Sequence, residues 1–193
     1  MKLLGGDRAR RVLLDQAAVQ PGHRVLDIGC GTGSLVTLIK SVHPDVDVVG
    51  LDPDPKALAR ARGKADRARV AIQFDQRFAD DLPYPEASFD RVLSSFMFHH
   101  LEPDERATTL REVRRVLKPT GFLHLLDFAG SDSGRHGFLA RVCHSHRLKD
   151  NSEGRILALM AQAGFPDPEK VGDRTMFFMR IAYYQASGAV TPP

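Results

Sequence analysis

The sequence predicts an α/β fold in which a parallel sheet is covered by helices on both faces. Five short apolar runs alternate with segments of helical periodicity, a pattern typical of strand–helix–strand units. The first run is apolar on both faces, as strands of a buried parallel sheet are. It ends in a glycine-rich turn at 29–33, where the chain can bend tightly and a ligand can approach the backbone.

The first elements follow from apolar spacing and from turn residues. Apolar residues at helical intervals predict a helix over 8–20, which the turn chemistry of Pro21 and Gly22 ends. The first strand is expected at 24–28. Ser34 is the expected cap of the next helix, whose apolar residues fit a face packed on a sheet.

Two further strands are expected, at 46–51 and 70–74. The helix between them is expected over 56–67, because these residues have high helix propensity and Pro55 suits a helix start.

The fourth strand is expected at 89–95, after a loop over 80–88 that contains two prolines. A helix then begins at Pro103 and carries acids in its first turn, where the helix dipole favours them. A turn over 118–121 closes this helix, and the fifth strand is expected at 122–128. The residues of this helix expected to face inward are Ala107, Leu110, Val113 and Leu117.

The last part of the chain departs from this alternation. Ser152 is the expected cap of a helix over 153–163 that ends at Gly164. The apolar and aromatic run 175–184 is expected to form one late strand, which could pair as a hairpin with the chain near Val171.

Size and charge indicate one domain with a mildly basic surface. The chain has 193 residues, of which 42% are hydrophobic, and this is enough for a single core, so residues 1–193 are expected to form one domain. Its net charge is +3 and its pI is near 9.0, but the acidic and basic residues are interspersed. A nucleic-acid partner is therefore not expected.

The cysteines and the apolar runs indicate a cytoplasmic protein. Cys30 and Cys143 are far apart in sequence, and no disulfide is expected between them. The N-terminus becomes charged at once, which argues against a secretory segment. No apolar run reaches the roughly 20 residues that span a bilayer, so no membrane partner is expected.

Two acids at strand ends narrow the choice of ligand. Asp52 ends the second strand, where a carboxylate suits the two hydroxyls of a ribose; alternatively it caps the next helix, a role that Asp54 could take instead. Asp27 would repel a pyrophosphate but would attract a ligand that carries a sulfonium and an ammonium group. Ser34 occupies the third glycine position of the dinucleotide fingerprint, and no lysine follows the turn as in a P-loop.

The run Val25-Leu26-Asp27-Ile28-Gly29-Cys30-Gly31-Thr32-Gly33 joins the end of the first strand to the glycine turn. This run matches the first motif of the class I S-adenosylmethionine-dependent methyltransferases, and the chain resembles that family, in the branch that acts on small molecules. The resemblance implies a Rossmann-like three-layer sandwich with a seven-stranded, mostly parallel sheet whose last strand is antiparallel. Further motifs follow in family order at Gly50-Leu51-Asp52, Leu82-Pro83-Tyr84, Ser88-Phe89-Asp90, Phe98-His99-His100-Leu101, Leu117-Lys118-Pro119-Thr120-Gly121 and Ala163-Gly164-Phe165.

The resemblance also implies S-adenosylmethionine as cofactor and assigns residues to it. The backbone of 29–33 would lie along the methionine part and the ribose, Asp27 would help to place the methionine end, and Ser95 would face the amino-acid moiety or the methyl group. Asp52 would bind the ribose hydroxyls. The implied cofactor-binding residues are Asp27, Gly29, Cys30, Gly31, Gly33, Asp52, Pro53, Phe78, Ala79 and Ser95.

One position departs from the family pattern. Family members usually carry an acid that contacts the adenine amino group where this chain has Phe78. Phe78 could stack on the adenine while the Ala79 amide donates to the ring, Asp80 or Asp75 could substitute for the missing acid, or the affinity for the cofactor could be weaker. A plain core role for Phe78 is the other interpretation.

Methyl transfer from a sulfonium needs positioning and, for some acceptors, a general base. His99, just after the fourth strand, is the candidate base. His100 and Leu101 are interpreted as a packing and helix-entry motif.

Substrate contacts are expected in the segment 129–151, and residues 187–193 are expected to form a frayed tail.

No metal site is expected in the segment 129–151, because His144 and His146, at i and i+2, do not align as ligands on a helix. The histidines and arginines of this segment are interpreted as exposed side chains, with substrate recognition as the alternative: His136, His144, His146, Arg135, Arg141 and Arg147.

The leading functional hypothesis is a methyltransferase with a small-molecule acceptor. The apolar run at 96–98 favours an apolar or aromatic acceptor. A non-catalytic cofactor-binding or scaffold protein of the same fold is one alternative, and an NAD-dependent dehydrogenase is the other. The sequence leaves open whether a homodimer completes the pocket.

Overall fold

The structure, a computed structural model, describes residues 4–130 and 152–189. The helices of these residues are α1 (Leu4–Ala17), α2 (Ser34–Val42), α3 (Pro55–Ala68), α4 (Pro103–Val116) and α5 (Glu153–Gln162), with a short 3-10 turn at Phe98–His100. The strands are β1 (Arg24–Ile28), β2 (Asp47–Leu51), β3 (Gln73–Asp75), β4 (Phe89–Ser95), β5 (Leu117–Phe128), β6 (Glu169–Met176) and β7 (Met179–Ser187).

The seven strands form one sheet in the order β3-β2-β1-β4-β5-β7-β6. Neighbours from β3 to β5 pair in parallel, and β7 runs antiparallel to both β5 and β6. Six strands therefore point the same way, and their carboxyl ends share one edge of the sheet, called the site edge below. The predicted fold class is confirmed.

Side chains that alternate along the strands separate the core into two layers. Val25 and Val48 pack with α1, α2 and α3 on one face of the sheet. Leu26 and Val49 pack with α4 and α5 on the other face. This alternation is the physical reason for the three-layer arrangement, since successive strand residues point to opposite faces.

The first two helices differ from expectation at their ends. The predicted helix over 8–20 begins four residues earlier, at Leu4, and ends at Ala17, because Ala18 takes a left-handed backbone with φ 45°. Ser34 is not the cap of α2: the cap position is Gly33, whose left-handed backbone makes Ser34 already helical. The Ser34 hydroxyl instead accepts a hydrogen bond from Lys64 Nζ at 2.7 Å.

Three strands begin at other positions than predicted. The second begins at Asp47, one residue later than expected. The third begins at Gln73 rather than at 70, because the Val70 amide still donates to the Ala65 carbonyl and closes the end of α3. The turn predicted at 118–121 is part of β5, which starts at Leu117 opposite Phe89 and bulges before resuming the register.

The expected inward face of α4 is confirmed in part. Leu110 and Val113 are buried, but Ala107 is only half-buried and the long side chain of Arg106 is buried instead. Leu117 is buried as the first residue of β5. Ser152 does occupy the cap position of α5, although its side chain makes no capping hydrogen bond.

The single strand predicted over 175–184 is wrong, because the run is folded into the β6–β7 hairpin. Phe177 and Phe178 form its turn, with φ of 47° and 68°, and Met176 pairs with Met179 across it. The pairing with the chain near Val171 is confirmed, since Gly172 lies opposite Tyr183. The strong β propensity of these residues concealed the turn, which contains none of the usual turn residues.

Parts of the prediction lie outside the described residues. They are most of the segment 129–151, with its histidines, its arginines and Cys143, and the last four residues of the tail. No described helix combines the length and apolarity needed to cross a membrane. Cys30 is a buried free cysteine.

Candidate functional site

The glycine turn connects β1 to α2 at the site edge, and each of its glycines has a left-handed backbone. The φ angles of Gly29, Gly31 and Gly33 are 68°, 53° and 74°. A Cβ atom on Gly29 would lie 2.2 Å from Met97 Cγ, and one on Gly33 would lie 2.8 Å from Ala61 Cβ. A Cβ on Gly31 would meet nothing within 4 Å. The turn is therefore held by close packing at both ends and is open at its centre, where a ligand can approach.

Asp52 joins the glycine turn to the end of β2. Its Oδ2 accepts a hydrogen bond from the Gly31 amide at 2.8 Å, and its Oδ1 accepts one from the Asp54 amide at 2.9 Å. The cap of α3 is Asp54, which accepts from the Lys56 amide at 2.8 Å. Asp52 is thus not the helix cap, and each of its oxygens keeps a lone pair for a further donor.

Asp27 is a buried carboxyl group to which no described residue donates a hydrogen bond. Its side chain is 1% exposed, and neither oxygen has a hydrogen-bond partner among the described residues. Burial raises its pKa to about 8; Asp52 raises it too, whereas Arg10 lowers it. A buried polar group is costly unless it is paired. Asp27 therefore fits a ligand that brings a positive charge or a donor, as the methionine ammonium of S-adenosylmethionine would.

Arg10 of α1 reaches the site edge, which the sequence analysis missed. Its Nε donates to Ser95 Oγ at 3.4 Å, and its guanidinium lies 5.5 Å from the centre of the Phe96 ring. The end of β4, where Ser95 was predicted to face the cofactor, is thus linked to the first helix. The sequence carried no signal for this contact, since Arg10 belongs to a short basic cluster on an amphipathic helix.

Cys30 and Pro53 offer less to a ligand than their neighbours do. The Cys30 sulfur points toward Gly50, on which a Cβ would lie 2.9 Å from it, and burial raises the pKa of the thiol. The thiol also donates to the Gly31 carbonyl within the turn at 4.0 Å. Pro53 is exposed, and its carbonyl accepts from Gln76 Nε2 at 3.4 Å.

Phe78 stands at the surface beside a buried Ala79. Its side chain is 67% exposed, so the core interpretation of Phe78 is wrong. The Asp75 carboxylate accepts the Tyr84 hydroxyl at 2.7 Å and is thereby engaged, while Asp80 is exposed. The exposed ring leaves the stacking interpretation of Phe78 in place.

His99 is paired with Asp127, an acid that the sequence analysis did not single out. His99 Nδ1 lies 2.6 Å from Asp127 Oδ1, and the His99 amide donates to Asp127 Oδ2 at 2.9 Å. The Asp127 side chain is fully buried at the end of β5, whereas that of His99 keeps 15% exposure. An acid at the end of a predicted strand was the only signal, and its partner lies 28 positions away.

Aromatic rings and a buried arginine surround this pair. The Phe128 ring lies 5.1 Å from the His99 ring and 5.1 Å from the Phe96 ring. Arg106 donates from Nε to the Leu101 carbonyl at 3.0 Å and from Nη2 to the His99 carbonyl at 3.5 Å. The 3-10 turn that carries His99 is therefore held from both sides, by β5 and by α4.

The geometry divides the site into two halves along the site edge. The turn half consists of the glycine turn with Asp27 and Asp52, and it can hold a cofactor with a cationic end and a ribose. The histidine half consists of His99, Asp127, Phe96 and Phe128, and it joins a base to an apolar wall. Among the described residues no cluster of side chains fits a metal ion.

Comparison with known proteins agrees with this geometry. The family described as "Methyltransferase domain" matches residues 25–121. A demethylmenaquinone methyltransferase of Deinococcus radiodurans is 37% identical over 181 residues, which cover 87% of this chain and 72% of that protein. Its counterpart in Thermus thermophilus is 38% identical over 135 residues, with 70% and 60% coverage.

Among solved structures, the YcgJ protein of Bacillus subtilis superposes with a TM-score of 0.78 at 20% identity and covers 93% of this chain and 97% of its own. This likeness supports the fold. The family match and the two relatives favour a methyltransferase over the dehydrogenase and non-catalytic interpretations. The chain belongs to the class I S-adenosylmethionine-dependent methyltransferases.

Proposed function

We propose that this methyltransferase acts on a small apolar or aromatic molecule that carries a hydroxyl group, with His99 as the general base. The observation that carries the proposal is the 2.6 Å contact between His99 Nδ1 and the fully buried Asp127 carboxylate. Such a pair orients an imidazole and selects the tautomer whose other nitrogen accepts a proton.

The chemistry divides between the cofactor and the chain. S-adenosylmethionine supplies, when bound, an electrophilic methyl group on a cationic sulfur. His99 Nε2 takes the acceptor's hydroxyl proton, and Asp127 stabilises the imidazolium that forms. The oxygen left behind is nucleophilic itself or, on an aromatic ring, makes the adjacent ring carbon nucleophilic.

The cofactor would be held by the turn half of the site and by residues next to it. Asp27 would receive the methionine ammonium, the backbone of 29–33 and Pro53 would line the methionine and ribose parts, and Asp52 would accept hydrogen bonds from the ribose hydroxyls. Phe78 would stack on the adenine, to which the Ala79 amide would donate, and Ser95 would face the amino-acid moiety or the methyl group. The unpartnered Asp27 carboxyl and the exposed Phe78 ring support these roles.

The apolar side chains around the histidine half support an apolar or aromatic acceptor. Phe96, Phe128 and Met97 are partly buried apolar side chains at the ends of β4 and β5. The two relatives described above are named for a quinone-ring acceptor, which also favours an aromatic molecule. The described strands all share one sheet, which supports a single domain over the chain.

The test is the rate of S-adenosylhomocysteine formation with a water-soluble naphthohydroquinone. We expect His99→Gln to lower kcat by about 10²–10⁴-fold. Asp127→Asn should lower kcat by about 10²-fold or more, because the imidazole is no longer held in one tautomer.

Both variants should bind S-adenosylhomocysteine as the parent does, since neither residue belongs to the turn half. A His99→Gln variant that keeps the kcat of the parent would contradict the proposal.

A further inference from the structure

The turn of the β6–β7 hairpin exposes three large apolar side chains, called the hairpin tip here. Phe178 is 97% exposed, Phe177 58% and Met179 36%. Both phenylalanines have a left-handed backbone, which is an unfavourable conformation for bulky residues. This turn therefore costs conformational free energy, although its exposed side chains are not part of the protein's own core.

The hairpin tip protrudes at the site edge, near the histidine half. β6 runs in the same direction as β1, so it ends at that edge. Ile181 of β7 lies opposite Phe128, and Met179 precedes Ile181 by two residues, in the direction of the hairpin turn. At about 3.3 Å per strand residue, the phenylalanines extend about 10 Å beyond the level of Phe128.

Positive charge predominates around the hairpin tip. Phe177 lies beside the start of α1, since a Cβ on Gly5 would be 3.0 Å from its ring. Asp173, next to the tip, is paired with Lys170 at 3.0 Å and with Arg180 at 3.1 Å. The charged residues of the first α1 turns and of the hairpin near the tip are Asp7, Arg8, Arg10, Arg11, Asp173, Arg174 and Arg180.

We propose that the hairpin tip inserts into the interface of an anionic lipid membrane and brings the histidine half next to an acceptor dissolved in the bilayer. The inference rests on the proposed function in one respect, the apolar acceptor. It also revises the expectation of no membrane partner, which rested only on the absence of a spanning run. Apolar side chains flanked by arginines are the combination that binds anionic membrane surfaces.

A lipid surface fits the tip better than a protein does. A stable protein interface buries about 800 Å² on each partner. A convex turn of three side chains offers much less area than that, whereas shallow insertion into lipid needs no complementary surface.

The test is sedimentation of the full chain with vesicles, without cofactor or acceptor. We expect binding to phosphatidylglycerol vesicles that is about tenfold tighter than to phosphatidylcholine vesicles and weakens with salt. Phe178→Ser should reduce binding about tenfold. Val42→Ser is the matched control, because Val42 is an exposed apolar residue at the end of α2, at the opposite edge of the sheet; it should bind as the parent does.

Several results would overturn the inference. They are no binding to phosphatidylglycerol vesicles, equal binding to both lipids, or an unchanged Phe178→Ser variant. A parent chain that dimerises in sedimentation velocity, stays off vesicles and becomes monomeric with Phe178→Ser would make the tip an interface between copies. Phe178→Ser should keep full turnover of the water-soluble hydroquinone, so a failed membrane inference is distinguishable from a failed proposed function.

Discussion

The glycine turn after β1 and the His99–Asp127 pair lie at the same edge of one sheet but are assembled in different ways. The turn is built from consecutive residues and offers mainly backbone groups, with Asp52 binding the Gly31 amide from the neighbouring strand. The pair joins two side chains that are 28 positions apart, one of them on a 3-10 turn.

The difference has a physical basis. A cofactor that is always the same can be held by backbone geometry, which few substitutions can change without strain. An acceptor that differs among relatives is best met by side chains, which vary while the strands that carry them stay in place. The turn half should therefore be sensitive in binding, and the histidine half in turnover.

The sharpest test of this contrast is Gly29→Ala beside Gly31→Ala. Both residues have a positive φ, so both variants carry the same kind of backbone strain. Only the Gly29 variant adds a Cβ that collides with Met97. We expect Gly29→Ala to weaken S-adenosylhomocysteine binding about 100-fold and to destabilise the fold by about 2–3 kcal/mol.

Gly31→Ala should cost only the backbone strain, about 1 kcal/mol of stability. Calorimetry gives the affinities and denaturant unfolding the stabilities. His99→Gln is the control from the other half of the site, and it should bind the ligand normally. Equal losses of stability in the two glycine variants would show that the Met97 contact does not matter.

More of the geometry of the turn half than of the histidine half could be predicted from the sequence. Strands β1 and β4 begin and end where predicted, because their apolar runs are bounded by clear turns and loops. The turn is a contiguous motif, and Asp52 follows it at the end of the next strand. Local patterns of this kind need no knowledge of which strands are neighbours.

Asp127 and Arg10 could not be found in this way. From the sequence, Asp127 can be recognised only as an acid in a strand. Its nearness to His99 becomes visible once β4 and β5 are known to be adjacent, with Ser95 opposite Leu126. Arg10 reaches Ser95 only because α1 packs against the sheet close to the carboxyl end of β4. The turn at Phe177 and Phe178 was hidden for another reason, since its residues favour strands and it lacks glycine and asparagine.

A second test uses the titration of Asp27, the one buried carboxyl of the turn half without a partner. In the unfolded chain an aspartate loses its proton near pH 4. In the folded protein burial raises the pKa of Asp27 to about 8. Between these values the folded state holds the extra proton, so its stability falls as pH rises, by up to about 1.4 kcal/mol per pH unit.

We therefore expect Asp27→Asn to be increasingly more stable than the parent as pH rises from 5 to 8, in thermal unfolding without ligand. Asp45→Asn, at an exposed acid, is the control and should follow the parent. Saturating S-adenosylhomocysteine should narrow the difference, because its ammonium favours the charged carboxylate. A difference that does not change with pH would mean that Asp27 is already ionised in the ligand-free protein.

The smallest effect on ligand binding is expected at Phe78, which lies outside the turn half and whose side chain is the proposed contact to the adenine. Since the ring is 67% exposed, Phe78→Ala should change the free energy of unfolding by less than about 0.5 kcal/mol. Loss of stacking on the adenine should weaken S-adenosylhomocysteine binding about fivefold, and Phe78→Tyr should restore it. Calorimetry measures both variants. If Phe78→Ala bound the ligand as the parent does, Phe78 would not replace the missing adenine-binding acid, and Asp80 would be the next side chain to test.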